Sequence, residues 1–146
     1  MLVEDYLSFW MPSTFHDDFS AGIKHLDQSE PFDREINESI LEVASAKDIP
    51  VMKGGIVATT PGPRFETRAE IRAIESMGAN LVSMTLGHEA PLLGEMEIPH
   101  AALAIATNYA CGVSDKPLGP EEVMDVMEKK TEDVLGLLEG LIERAR

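Results

Sequence analysis

Cysteine is almost missing: Cys111 is the single example in 146 residues, so no disulfide can form within the chain, and a reducing compartment is the expected setting. Positive charge is scarce too. Twelve Lys and Arg face 26 Asp and Glu, a net charge of −14. That balance argues against a nucleic-acid or anionic-membrane surface, because both need clustered cations to neutralise phosphate. No apolar run approaches the roughly 18 residues needed to span a bilayer, and the start lacks a signal-peptide pattern, so a cytoplasmic protein without membrane contact is expected. The four histidines are scattered and Cys111 has no cysteine partner, which leaves no indicated metal site. Internal repeats and low-complexity tracts are absent. What remains is a hydrophobic fraction of 44%, enough for one globular domain over residues 1–146.

The segment from Val51 to Asn108 organises the rest, reading as strand, Pro/Gly loop, helix, strand, short helix, strand. Ile56 to Thr60 is β-branched and apolar and must stop at Pro61-Gly62-Pro63, where two prolines remove backbone donors. A helix follows, with Ala69, Ala73 and Met77 four apart, Ile74 beside them, and Gly78 as its terminator. Leu81 to Thr85 and Ala102 to Thr107 read as two further strands, the first followed by Gly87-His88-Glu89 and the second by Asn108. Each strand delivers polar or aromatic groups at its C-terminal end, where open α/β sheets commonly place ligands.

Leu2 to Trp10 reads as a first strand that could be buried on both faces. Met11 to Pro31 is irregular and too long for a simple connection, a length that usually signals function or partner contact. Asp33 looks like the N-cap of a helix through about Lys47, with Ile36, Ile40, Val43 and Ala44 on one side. Pro120 fits the first turn of a last helix, whose apolar stripe (Val123, Met127, Val134, Leu138, Leu141) predicts packing against the sheet. Gly136 and Gly140 either weaken that helix or permit close packing. The fold class is α/β, a central mixed β-sheet flanked by helices.

Taken singly, the chemically interesting residues have ordinary explanations. Glu66 suits a helix start and Phe65 a core, yet a ring and a carboxylate at a sheet's ligand edge could hold a planar heterocycle. Asn108 could simply form a turn, or its amide could contact a carbonyl and a ring nitrogen of one base edge. Met84 and Thr85 are either a strand terminus or an apolar wall and a hydroxyl. Glu89 is either a helix-start acid or a ligand for a sugar hydroxyl. Cys111 reads as a packed thiol rather than a nucleophile.

In order, Glu30-Pro31-Phe32, Gly62-Pro63-Arg64-Phe65-Glu66-Thr67, Gly78-Ala79, Met84-Thr85 with Glu89, and Thr107-Asn108-Tyr109 closely resemble the trimeric purine nucleoside phosphorylase and methylthioadenosine phosphorylase family, over nearly the whole chain. The resemblance implies phosphorolysis: phosphate attacks the ribosyl C1′, and the purine leaves with formation of a sugar 1-phosphate. Phosphate is then a co-substrate and no cofactor is expected. Phe65 would stack on the nucleoside, Met84 pack under the ribose, and Thr85 lie near sugar and phosphate. Glu66 and Asn108 would hold the base. His25, just before Glu30-Pro31-Phe32, matches a histidine that reaches into a neighbouring subunit's site near the 5′ substituent; a solvated loop histidine is the other reading.

Methylthioadenosine phosphorylases carry Asp where this chain has Asn108, and a small hydroxyl residue where it has Glu66; Ala110 replaces a second Asp. Asn108 can donate to a 6-oxo group, and Glu66 can accept the N1–H that a 6-oxopurine has and adenine lacks. The expected substrates are therefore inosine, guanosine or 5′-methylthioinosine. His88 stands where the family has Pro. The family's Gly-rich strand turn, Arg-His pair and Thr/Asn-Ala loop, which build most of its phosphate site, have no counterpart in this chain. Three expectations stay open: part of a 6-oxopurine nucleoside phosphorylase that needs an N-terminal half, a non-catalytic nucleoside-binding or association remnant, and an unrelated α/β interaction domain. A homotrimer, or association with an N-terminal half, is the expected assembly.

Overall fold

Three short parallel strands in the order β1-β2-β3 form the centre of the chain: β1 is Val3–Leu7, β2 Gly55–Thr59 and β3 Leu81–Ser83. The computed structural model describes residues 1–9, 13–16, 22, 25–115 and 120–145; Trp10, expected to end the first strand, and parts of the loops expected at 11–31 and 112–120 lie outside them. Side chains alternate across β2 as the strand period requires. Val57 packs with Val3, Phe32 and Ala90 on one face, and Ala58 with Ile74 and Ala79 on the other.

Helix α1, Arg34–Ala46, starts where the capping argument puts it: Asp33 accepts from the Ile36 amide at 2.8 Å, and Ile40, Val43 and Ala44 are buried. Helix α2, Arg68–Ser76, covers the Ala58 face of the sheet. Its buried positions are Ile71 and Ile74, whereas Ala69, Ala73 and Met77 of the expected stripe are exposed. Burying two isoleucines removes more apolar area from water than burying alanines, and that decides which face turns inward. Helix α3, Leu86–Glu95, covers the Val57 face through Ala90 and Leu86, with Pro91 inside it.

Three strand expectations need correction. The first strand is shorter than Leu2 to Trp10 and is not buried on both faces: its register slips between Val3 and Asp5, leaving Glu4 and Asp5 exposed. A bulge lets two adjacent carboxylates escape to water. The third strand ends at Ser83, because the Ser83 hydroxyl accepts from the Thr85 amide at 3.2 Å and turns Met84-Thr85 out of the ladder. Ala102 to Thr107 is not a strand. It meets the start of β1 in one antiparallel bridge, Leu2 with Leu103, held by Val3 N–H to Ala102 O at 3.0 Å and Ala104 N–H to Met1 O at 2.9 Å. The Met1 ammonium also donates to Ala104 O at 2.7 Å, and burial lowers its pKa.

Helix α4, Pro120–Arg144, begins at the expected proline but lies on α1 rather than on the sheet. Leu137 and Leu141 pack with Val43, Ala44, Ile49 and Val51. Gly140 supplies the close approach: a Cβ there would stand 2.5 Å from Val43 Cγ1. Among the described residues no helix is long and apolar enough to cross a membrane.

Candidate functional site

The loop after β2 is built by mutual restraint. The Thr60 amide donates to Ser83 O at 2.9 Å, tying the end of β2 to β3. Gly62 follows at φ 52°, a conformation open to glycine, with a cis bond to Pro63; a Cβ on Gly62 would collide with Met84 Sδ. Glu70 then serves two neighbours. It accepts both Arg64 guanidinium nitrogens, at 2.8 and 2.9 Å, and it completes the capping box with Thr67 at the start of α2. The Arg64 hydrogen bonds, joined by that from the Thr67 amide, hold the Glu70 carboxyl down at about 2. Glu66, between these residues, accepts from the Thr60 hydroxyl at 2.6 Å.

Four of the seven expected site residues line one cavity of about 410 Å³: Phe65, Glu66, Met84 and Asn108. Val57 and Cys111 also contribute to its walls. Phe65 and Met84 are 59% and 55% exposed, so an aromatic face and a thioether border an open space. Asn108 is oriented by its neighbours. Its Oδ1 accepts from the Thr107 hydroxyl at 2.7 Å, and its Nδ2 donates to Tyr109 O at 3.0 Å. One amide hydrogen and one oxygen lone pair remain for another partner.

Thr85 and Glu89 line an adjoining cavity of about 320 Å³ with Phe32 and His100. Val57, Ser83 and Ala104 are walls of both cavities, so the two spaces are neighbours across the end of the sheet. His25 is exposed and lines neither. His88 forms a 2.6 Å hydrogen bond between Nδ1 and Ser13 Oγ, a contact that fastens the loop at residue 13 to α3. Sequence reasoning missed Thr60, read only as the end of an apolar strand, and Ser83 and His100; of these, a threonine six residues before a loop carboxylate was the one available signal. Among the described residues no group of histidine, cysteine or acidic side chains could hold a metal ion. Arg64 is the cation lining the larger cavity, and Glu70 engages its guanidinium.

This arrangement can hold a flat heterocycle: a ring at its border, a carboxylate to accept from a ring N–H, and an amide to donate to a carbonyl. The profile of the phosphorylase superfamily matches residues 1–143. The chain is 40% identical over 132 residues to the 6-oxopurine nucleoside phosphorylase of Pyrococcus furiosus, covering 87% of this chain and 50% of that protein. It is 37% identical over 145 residues to a protein of Methanopyrus kandleri designated a probable S-methyl-5′-thioinosine phosphorylase, covering 98% and 56%. Methylthioadenosine phosphorylase from Schistosoma mansoni, solved in complex with adenine, superposes with a TM-score of 0.85 at 23% identity over 99% of this chain and 58% of that one, a likeness of fold. The chain thus spans about half the length of the curated relatives it matches. By the match of that profile over residues 1–143, the chain belongs to the phosphorylase superfamily.

Proposed function

We propose that this chain carries the base-reading part of a nucleoside phosphorylase acting on 6-oxopurine nucleosides: inosine, guanosine or 5′-methylthioinosine. The observation that supports it most is that Glu66 and Asn108, 42 positions apart along the sequence, line the same cavity beside Phe65 and Met84. In the reaction a phosphate oxygen bonds to C1′ as the C1′–N9 bond breaks, and the bonding pair passes into the purine. Negative charge then grows on O6 and N7. The free Nδ2 hydrogen of Asn108 meets O6 and gains strength as that charge develops, which is what makes a contact catalytic rather than merely adhesive. Glu66 accepts N1–H and so rejects adenine, whose N1 is an acceptor; a mispaired buried group costs about 1–3 kcal/mol.

Phe65 stacks on the nucleoside and Met84 lies beneath the ribose. Thr85 and Glu89, in the adjoining cavity, take the sugar hydroxyls and the neighbourhood of the phosphate. His25 serves the 5′ end of a site on another subunit of a homotrimer in the cytoplasm. Phosphate binding is assigned to an N-terminal half bearing the Gly-rich strand turn and the Arg-His pair. One observation favours a second reading, a nucleoside-binding remnant without catalysis: Arg64, the cation of the larger cavity, is already engaged by Glu70.

A phosphate-dependent assay decides between them, run on this chain alone and with a supplied N-terminal half, using inosine, 5′-methylthioinosine and adenosine. The expected result is release of hypoxanthine in the presence of both halves. A clear preference for adenosine would sink the substrate assignment. Base binding without turnover in any combination would establish the remnant.

A further inference from the structure

Glu66 stands at a junction. It lines the cavity that holds Asn108, and together with Thr60 it also lines a second cavity of about 320 Å³ behind the loop, walled by Pro61, Ala73, Ile74 and Met77. A glutamate turns about three side-chain bonds and loses considerable freedom when one arrangement is enforced. Something must decide where its carboxylate rests.

That contact comes from Thr60, whose Oγ1 donates to Glu66 Oε1 at 2.6 Å. Thr60 is well suited to act as a fixed donor. It is only 7% exposed, its backbone is tied to Ser83 O, and its branched Cβ restricts rotation about χ1. A hydroxyl bound to a carboxylate is a charge-assisted pair, stronger than a neutral one. With one oxygen held, the other is left to accept a ring N–H.

We propose that Thr60 is a positioning residue for base recognition: its hydroxyl anchors one oxygen of the Glu66 carboxylate at the wall of the second cavity, leaves the other oxygen for a ring N–H in the Asn108 cavity, and thereby sets the preference for 6-oxopurines. This rests on the reading of Glu66 as the acceptor of N1–H. The role belongs to the hydroxyl, so serine can supply it and valine, of the same shape, cannot.

Calorimetric titration of this chain with hypoxanthine and with adenine tests it in wild type, Thr60→Val, Thr60→Ser and Glu66→Gln, with thermal melts to confirm folding. The expected result is a preference for hypoxanthine that falls about tenfold in Thr60→Val, in line with the loss of one hydrogen bond to a charged group. Thr60→Ser should restore it. Retention of the full preference in Thr60→Val, together with its loss in Glu66→Gln, would overturn the positioning role while leaving the base reading intact. A second measurement needs neither ligand nor valine variant: NMR of the wild-type chain should show a slowly exchanging Thr60 hydroxyl proton that disappears in Glu66→Ala. Absence of that proton overturns the tether itself. Its presence in a wild-type chain that does not distinguish hypoxanthine from adenine overturns the base reading, and the specificity role with it.

Discussion

The two arms that meet at the larger cavity are held in different ways. The arm bearing Glu66 is braced both within itself, by Arg64 to Glu70 and Glu70 to Thr67, and from the end of β3, by Thr60 to Ser83 and Gly62 against Met84. The arm bearing Asn108 is braced mostly from within, through Thr107 and Tyr109, and its approach pairs with the edge of the sheet in a single bridge, Leu2 with Leu103, while Ala102 and Ala104 pack against the cluster around Val3 and Val57. The lesson is that the carboxylate sits in a loop tied to the distant end of β3, whereas the amide's place is fixed by the residues on either side of it. The first arrangement resists perturbation of its own loop; the second moves with the segment that carries it.

Hydrogen exchange should reveal the contrast most plainly. Amides of Val57 and Ala58, inside the parallel ladder, should exchange on the order of 100-fold more slowly than those of Ile105 and Ala106, beyond the single bridge. Equal protection in the two regions would erase the distinction. Next in size is Thr59→Val. Thr59 is fully buried and its hydroxyl accepts from the Gly87 amide at 2.8 Å, so losing it strands that N–H at a cost of about 1–3 kcal/mol in denaturant unfolding. An unchanged midpoint would mean that the braced side does not depend on this link between β2 and α3.

Gly62→Ala comes third: a methyl at φ 52° costs about 1 kcal/mol in backbone strain and must push Met84 aside, visible as a shifted Met84 methyl resonance. The smallest effect concerns Glu70. Its folded pKa, about 2, lies below the ordinary 4.5, so its contribution is complete above about pH 4.5 and vanishes as the pH falls through 2. Glu70→Gln should lower the melting temperature slightly at pH 7, and the gap to wild type should close toward pH 2.

Local signals were legible wherever the cause was local. Asp33 as a cap, the β-branched run into Pro61, Gly78 as a terminator and Pro120 as a helix start are each set by a few adjacent residues. The misread elements depend on partners. Ala102 to Thr107 has strand composition, but a strand exists only where a neighbour offers a ladder, and composition does not state whether one does. The choice of α1 over the sheet as the bed of α4 hangs on the notch at Gly140 facing Val43.

For the candidate site, the convergence of Phe65, Glu66, Met84 and Asn108 was foreseeable from the order of motifs, since no periodicity links positions so far apart. Separation of Thr85 and Glu89 into an adjoining cavity was not, because it follows from the turn that Ser83 makes. The Thr60 tether escaped notice for a similar reason. A threonine ending a β-branched run looks like any other until the loop brings a carboxylate back to it.

The notch at Gly140 also has a mechanical reading. The side-chain packing between α1 and α4 engages the latter near its C-terminal end, at Leu137, Gly140 and Leu141, with Arg144 reaching Glu42. Pro120 lies roughly 30 Å away along the axis at 1.5 Å per residue. The helix is thus a lever with its fulcrum near one tip: a tilt of only about 10° there sweeps the far tip through roughly 5 Å, turning a slight adjustment at α1 into a displacement as wide as a side chain.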